Sequence, residues 1–268
     1  MKKQETLALE NAGEKEIGKV VDYFSDVDFS NLKINAEDMF RGGVHFGHHK
    51  SRKNPKMNAY IFGVKNGISI INLQKTEEKL KEALAFVETI ISQGKPILFV
   101  GTKKQAKKVI ELAAKKCEMP YVSERWLGGT FTNFSVMSSR TRYLREGQEK
   151  MAKGEYEKYT KFEQMKFAEE LERLETKMGG IKNMYGLPGA VFVASIIDDN
   201  LAIKEAKNKK IPVIAIADSN VDPTDADYVI PANDDAVSAL KIIMSYVIKT
   251  ILSAKAKKNV LPEEKKVK

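Results

Sequence analysis

All three histidines of the chain lie in one short polar segment, residues 42–57 (GGVHFGHHKSRKNPKM). Histidine is a common ligand of zinc and other metals, so we first considered a metal site. His48 and His49 are adjacent, and adjacent side chains do not face one metal from a helix. No cysteine, aspartate or glutamate stands close enough in sequence to complete a ligand set. The segment therefore predicts no metal site.

The same segment also carries a run of positive charges. Its cations are Lys50, Arg52, Lys53 and Lys56, and Arg41 directly precedes the segment. Neighbouring cations lower the pKa of histidine, so we expect neutral imidazoles, which can still donate to a phosphate or stack on a base. We interpret the segment as a glycine-flanked arm that binds a polyanion. Catalysis by a histidine stays open, since its orienting carboxylate can come from a distant part of the chain.

A second basic segment, GTKKQ at 101–105, follows an apolar run and opens a helical pattern. The N-terminal amides of a helix in this position bind phosphate groups in many α/β proteins. Neither of the glycine-rich nucleotide motifs is present, so no cradle for a pyrophosphate is predicted. Lys103, Lys104 and Lys107 are candidates for contact with a nucleic-acid backbone. A solvated basic helix face is the competing interpretation.

The segment at 123–134, SERWLGGTFTNF, contains the only tryptophan. Guanidinium, aromatic, hydroxyl and amide groups surround a Gly-Gly turn, a combination suited to a phosphodiester chain and its 2′-hydroxyls. The candidate RNA-contacting residues here are Arg125, Trp126, Thr130 and Asn133. Aromatic residues such as Trp126 are more often part of a core, so packing is the alternative.

Six aspartates follow a predicted strand at 217–235. In an open α/β sheet this position is the ligand edge, and acidic clusters there often hold Mg²⁺. Turn and capping chemistry accounts for the same residues without a metal, with Asp234 as the N-cap of the last helix. We favour turn chemistry, and we expect no metal and no cofactor.

The charge distribution favours a polyanionic partner. The formal net charge is +9, and residues 36–125 carry 17 Lys or Arg against 9 Asp or Glu. The block that holds the arm and the second basic segment is therefore the part that a nucleic acid would meet first.

Other features of the composition exclude several protein classes. The single cysteine, Cys117, permits no disulfide within the chain and no cysteine-based zinc site. No apolar run reaches the roughly 18 residues of a membrane span, and the N-terminus lacks a signal core. We therefore expect a cytoplasmic protein with no membrane association.

Strand-like and helix-like patterns alternate along the chain. Continuous apolar runs at 96–101, 190–196 and 211–218 are typical of strands buried on both faces. Amphipathic helical patterns separate them, which indicates βαβ crossovers and a parallel sheet covered on both sides. The predicted fold is a doubly wound α/β domain of the flavodoxin-like or Rossmann-like kind, preceded by a hairpin that turns at Asn66-Gly67.

Three segments fall outside this alternation. Residues 135–178 are rich in Glu, Lys and Arg and predict an antiparallel helical hairpin, a coiled coil inserted between the two parts of the α/β domain, 36–134 and 179–254. Residues 1–35 look like an N-terminal extension of unknown role. Residues 255–268 are predicted to be a basic disordered tail.

Six segments together resemble the bacterial ribosomal protein S2 family of the small ribosomal subunit. They are GVHFGHHKSRKNPKMNAYIF, NGISIINLQKT, ILFVGTKKQA, RWLGGTFTNF, GGIKNMYGLPGAVFV and DPTDADYVIPANDDA, and they span roughly residues 36–254 in the family's order. Residues 1–35 extend beyond the usual family start. Asn72 stands where aspartate is common, SIIDDN at 195–200 departs from the family pattern, and His49 replaces the commoner glutamine.

The resemblance implies a parallel α/β domain with a projecting helical hairpin and a structural role without catalysis. It also implies binding to small-subunit ribosomal RNA near the head–body junction, late assembly, and help in docking the large first protein of the same subunit. The expected location is the cytoplasmic ribosome, with no obligate homo-oligomer. The resemblance assigns RNA contacts to the matching positions His45, His48, Arg52, Lys56, Lys103, Lys104, Arg125, Trp126, Thr130 and Asn133.

Two alternatives remain at this point. The first is a nucleotide- or metal-dependent α/β enzyme that uses the strand-edge aspartates, among them Asp218. The second, compatible with an RNA-binding role, is that the near-neutral hairpin binds a protein partner.

Overall fold

A computed structural model describes residues 22–25, 27–29 and 32–260 of the chain. The first sheet within this part is small and antiparallel, and it follows helix α1 (Ala36–Arg41). Its strands are β1 (Phe46–His49), β2 (Ile61–Lys65) and β3 (Ile68–Ile71), in the order β1-β3-β2. The predicted hairpin is confirmed: β2 and β3 pair antiparallel, and Asn66 and Gly67 turn between them with φ of 51° and 78°.

The second sheet is parallel and forms the centre of the domain. The described residues supply five strands: β4 (Ile97–Val100), β5 (Tyr121–Val122), β6 (Ala190–Val193), β7 (Val213–Ala217) and β8 (Tyr228–Pro231). Their spatial order is β5-β4-β6-β7-β8, and each neighbouring pair is parallel. The order reverses direction beside β4, as in the flavodoxin-like arrangement, so the predicted α/β class is confirmed.

Both faces of the parallel sheet are buried, which explains the continuous apolar runs in its strands. In β4, Ile97 and Phe99 belong to one core cluster, while Leu98 and Val100 belong to another on the opposite face. Helices α2 (Leu73–Ser92), α3 (Lys107–Cys117) and α7 (Val237–Val260) cover the first face. Helix α6 (Asn200–Asn208) and the segment around Trp126 cover the second.

An asparagine caps the start of α2. The side chain of Asn72 accepts hydrogen bonds from the backbone N–H groups of Gln74 and Lys75. Thr76 is buried inside the helix and donates its hydroxyl to the Pro231 carbonyl at 2.6 Å. A buried hydroxyl needs a partner, and the end of β8 supplies it.

Two helices occupy the region predicted to be an inserted hairpin, α4 (Phe134–Ala152) and α5 (Lys161–Met178). The two helices are in contact at Gly147, where a Cβ would lie 2.5 Å from Leu171, so the glycine allows this contact. The predicted antiparallel coiled coil is not confirmed, and Met151 near the end of α4 is 42% exposed.

The last helix is longer than predicted. α7 continues to Val260, so residues 255–260 are helical and the prediction of a disordered tail from position 255 is wrong there; residues 261–268 lie outside the described part. Over Val237–Lys258 the helix is long and apolar enough to cross a membrane by length and composition, but 56% of its apolar window is buried in the fold. Ile243 and Val247 lie in the core, which accounts for the apolar character.

The end of the N-terminal extension is part of the core. Phe24 is fully buried, and Lys116 donates to its backbone carbonyl at 3.1 Å. Tyr23 and Phe29 pack against the same cluster. The described end of the extension predicted at 1–35 thus docks on the domain before α1, while residues 1–21 lie outside the described part.

Candidate nucleic-acid interface

The basic arm is held by its own turns. After β1 the chain makes two short 3₁₀ helices, Lys50–Arg52 and Pro55–Tyr60. The side chain of Asn54 accepts from the backbone N–H of Lys56 at 3.0 Å, and the Asn54 N–H donates to the Ser219 carbonyl at 2.9 Å. The arm is therefore tied to the loop after β7.

The arm presents most of its cations to solvent. Lys50 and Arg52 are exposed and Lys53 is half-buried, and none of the three forms an ion pair within the described residues. Lys56 is exposed but binds Asp222 at 2.6 Å. At these four positions a polyanion can still reach the cations of the arm.

Arg41, at the end of α1, is also exposed. Its guanidinium donates to Glu37 at 2.6 Å, one turn earlier in the same helix. Exposed pairs of this kind are weak, so Arg41 remains available to a phosphate.

His45 does not reach the surface as the sequence interpretation required. Its ring is buried between two phenylalanines, with centroid distances of 4.4 Å to Phe40 and 4.1 Å to Phe46. Burial lowers the pKa of His45, which keeps the imidazole neutral. The described conformation therefore does not favour direct RNA contact by His45, which packs within the aromatic cluster.

The surroundings of His48 favour its charged form, which opposes the expectation of a neutral ring. Its Nδ1 lies 3.0 Å from Asp218 and its Nε2 lies 3.3 Å from Asp235. The hydrogen bond to Asp218 and the nearby carboxylates raise the pKa of His48, although burial opposes this. In the sequence only cations stand beside His48, whereas Asp218 and Asp235 come from a distant part of the chain.

Lys103 completes the same network. Its ammonium lies 2.7 Å from both Asp234 and Asp235, and its side chain is 15% exposed. Burial would lower the pKa of Lys103, but its hydrogen bonds to the two carboxylates hold it above the ordinary value. Lys103 is thus engaged inside the protein, and the prediction that it contacts RNA is not supported.

The predicted capping role of Asp234 is wrong. The side chain of Asn233 accepts from the N–H groups of Asp235 and Ala236 before α7, while Asp234 turns inward to Lys103. The Asp234 carboxylate therefore binds Lys103 and does not cap the helix.

The fold brings carboxylates close to His48, although none stands near it in the sequence. Ligand atoms of His48, Asp218, Asp234 and Asp235 lie within 4.8 Å of one another, a nitrogen-and-oxygen set that a divalent ion such as Zn²⁺ can accept. The four residues come from β1 and from the loops after β7 and β8, so no local spacing reveals them. In the described geometry Lys103 supplies the positive charge that balances these aspartates.

Trp126 and Thr130 belong to the core. The Trp126 side chain is 6% exposed, and its indole N–H donates to Glu205 at 3.2 Å. Thr130 is buried and donates its hydroxyl to the Leu127 carbonyl at 2.6 Å. The described conformation therefore favours packing over RNA contact for these two side chains.

Glu205 is a residue that the sequence analysis missed. Its carboxylate accepts from the backbone N–H groups of Gly129, Phe131 and Thr132 at 2.8, 2.9 and 3.1 Å. Burial alone would raise the pKa of Glu205, but these donors hold it below its ordinary value. An acidic residue on the apolar face of α6, between Ala202 and Ala206, was the available signal.

The other candidates on this side remain accessible. Arg125, Asn133 and Lys104 are exposed. Lys104 lies in the turn before α3, since this helix begins at Lys107 and not at position 102. Lys107 is half-buried and binds Glu124 at 2.7 Å.

These features define an α/β domain whose candidate interface is a charged, exposed surface beside the carboxyl ends of its strands. The family model described as ribosomal protein S2 matches residues 39–254, so the chain belongs to the ribosomal protein S2 family. This family consists of structural proteins of the small ribosomal subunit that function in translation, and its members are not enzymes. The enzyme alternative built on the strand-edge aspartates is therefore overturned.

Proposed function

We propose that the chain binds small-subunit ribosomal RNA through the basic arm and the neighbouring surface of the α/β domain. The observation that carries this proposal is the exposure of Lys50 and Arg52, which form no ion pair within the described residues. Cations that the fold does not neutralise are free to bind phosphates and release counterions.

Lys104 and Arg125 extend this surface. Asp235 contacts both His48 of the arm and Lys103, so the arm and the segment at 101–107 are held beside each other. Lys104 follows Lys103 directly and is exposed, which brings its charge near those of the arm. The predicted interface thus combines two segments that are far apart in sequence, within the proposed RNA-binding domain of residues 36–134 and 179–254.

A double substitution in the arm tests the proposal. Arg52→Ala with Lys56→Ala is expected to weaken incorporation into small subunits, measured by the fraction of tagged chain that sediments with them. The matched control is Lys204→Ala with Lys209→Ala, which removes two exposed lysines around the end of α6. Equal incorporation of both variants would contradict the assignment of the arm.

We further propose that the chain helps to dock a neighbouring ribosomal protein, including the large first protein of the subunit. Support comes from large apolar side chains that stay exposed on the antiparallel sheet, where Phe62 is 79% exposed and Phe46, Val64 and Ile68 are also exposed. Several exposed apolar side chains on one small sheet are candidates for contact with a protein partner. Phe62→Ser should release that neighbour while this chain stays on the subunit, as judged by the protein content of purified subunits.

The proposed location is the cytoplasmic ribosome. The helices α4 and α5 are assigned to an inserted unit that faces protein or solvent, because their segment is close to electrically neutral.

A further inference from the structure

An exposed aromatic ring on the other edge of the domain has no role in the surface described above. Tyr185 lies in the loop before β6 and is 77% exposed. Its hydroxyl accepts a hydrogen bond from the guanidinium of Arg145 at 2.6 Å, and the same guanidinium lies 4.9 Å from the ring centroid. The ring is therefore held in place by α4 instead of being free to turn into solvent.

The groups around Tyr185 are polar and include charges of both signs. Arg142 lies one turn before Arg145 on α4, is exposed, and forms no ion pair within the described part of the chain. Asn183 is exposed two residues before Tyr185, and its amide can both donate and accept. Lys182 binds Glu175 at 2.9 Å and is half-buried.

A groove adjoins the ring. It has a volume of about 620 Å³, and its lining includes Tyr185, Asn183 and Met119. Glu118 and Glu175 also line it, and each of them is paired with a lysine. This volume lies within the range of sites that hold small ligands, roughly 300–1,000 Å³. A planar heterocycle stacked on Tyr185 has room to extend into it.

We infer that Tyr185, held by Arg145 at the mouth of this groove, stacks on an unpaired RNA base. The inference rests on the proposed binding of ribosomal RNA and adds a second contact outside the basic arm. Single-stranded RNA is recognised by stacking of splayed bases on aromatic rings, with amides reading the base edge and cations binding the phosphate. The ring of Tyr185 stacks on the base, the amide of Asn183 reads the base edge, and Arg142 binds the phosphate.

The unpaired cation near this ring favours RNA over a protein anchor, since the glutamates of the groove are already paired with lysines. Arg145 donates a hydrogen bond to the Tyr185 hydroxyl and covers part of the ring. The exposed remainder of the ring is a flat surface on which a base can stack. Arg142 adds a cation that the fold does not neutralise. A protein segment in the same place would need an acidic group for Arg142, whereas every nucleotide brings a phosphate.

Ultraviolet cross-linking of native small subunits tests the contact directly. After nuclease and trypsin digestion, mass spectrometry should find a nucleotide adduct on the peptide 183–204, which contains Tyr185. Nucleotide adducts elsewhere on the chain without one on 183–204 would overturn the Tyr185 site and leave the proposed function standing. A cross-link from Tyr185 to another protein would overturn it in favour of a protein partner. Absence of nucleotide adducts on the whole chain would contradict the proposed function as well.

Substitutions then separate stacking from the hydrogen bond. Binding to small subunits stripped of this protein should weaken about tenfold for Tyr185→Ala and stay within about threefold for Tyr185→Phe, which keeps the ring. Phe162→Ala is the matched control, since Phe162 is 59% exposed and has the Lys166 ammonium 4.5 Å from its centroid. Equal losses for Tyr185→Ala and Tyr185→Phe, or a loss for Phe162→Ala as large as for Tyr185→Ala, would overturn the stacking site.

Discussion

The indole N–H of Trp126 donates to the carboxylate of Glu205 at 3.2 Å, across 79 positions of sequence. The same carboxylate accepts from the backbone of the following Gly-Gly loop. A segment whose composition resembles an RNA-binding loop is therefore organised around an internal anion. Its exposed residues, Arg125 and Asn133, are presented by this arrangement.

Removal of the Glu205 carboxylate should destabilise the fold. Glu205→Ala leaves several buried N–H donors without an acceptor, and we expect the free energy of unfolding to fall by about 3 kcal/mol. Urea denaturation of purified protein measures this change. Glu172→Ala, at an exposed position of α5, is the control and should stay within about 0.5 kcal/mol of the parent. Similar losses for both variants would show that the loop does not depend on Glu205.

Lys103 and Lys104 are neighbours with different expected roles. Lys103→Met should lower the free energy of unfolding by roughly 3 kcal/mol, because Asp234 and Asp235 lose their shared cation. Lys104→Met should leave stability within about 0.5 kcal/mol but weaken binding to stripped small subunits. Urea unfolding and a subunit-binding assay on both variants provide the comparison. The reverse pattern, with Lys104 needed for stability, would refute this division of roles.

Asp199 should make stability depend on pH. Burial raises the pKa of Asp199 from 3.8 to about 6, although the Thr102 N–H donates to its Oδ1 at 3.2 Å. The folded state then holds the proton more tightly than the unfolded state, so the free energy of unfolding should fall as pH rises from about 4 to about 6 and then level off. Two pKa units correspond to a loss on the order of 3 kcal/mol.

The Asp199→Asn variant isolates this effect. The variant keeps a carbonyl oxygen for the Thr102 N–H but does not titrate. Urea denaturation at pH 4 and pH 7 gives the free energy of unfolding of both proteins. Between these two pH values the parent should lose about 3 kcal/mol relative to the variant. Parallel pH profiles for the two proteins would show that Asp199 titrates normally.

The overall fold could be predicted because its determinants are local. The apolar runs of β4, β6 and β7 and the Asn66-Gly67 turn reflect burial and backbone conformation that each segment specifies alone. The parallel α/β class follows from their alternation with helices.

The candidate interface was less predictable because its charges are balanced over long distances. His48 and Lys103 are basic residues in basic segments, yet both bind aspartates from the ends of β7 and β8. Lys50 and Arg52 were predicted to be accessible, and they are exposed. Nothing in the local sequence separates these two groups, since the partners of the first group lie more than 130 positions away.

The most direct test of the account is the salt dependence of association with the small subunit. Native lysate is fractionated on sucrose gradients at low and high salt, and this chain is followed together with a marker protein of the subunit. We predict that the chain sediments with small subunits at low salt and is released as salt rises, because its attachment depends on phosphate contacts. Sedimentation as a free protein at every salt concentration would contradict ribosomal RNA binding as the function of this chain.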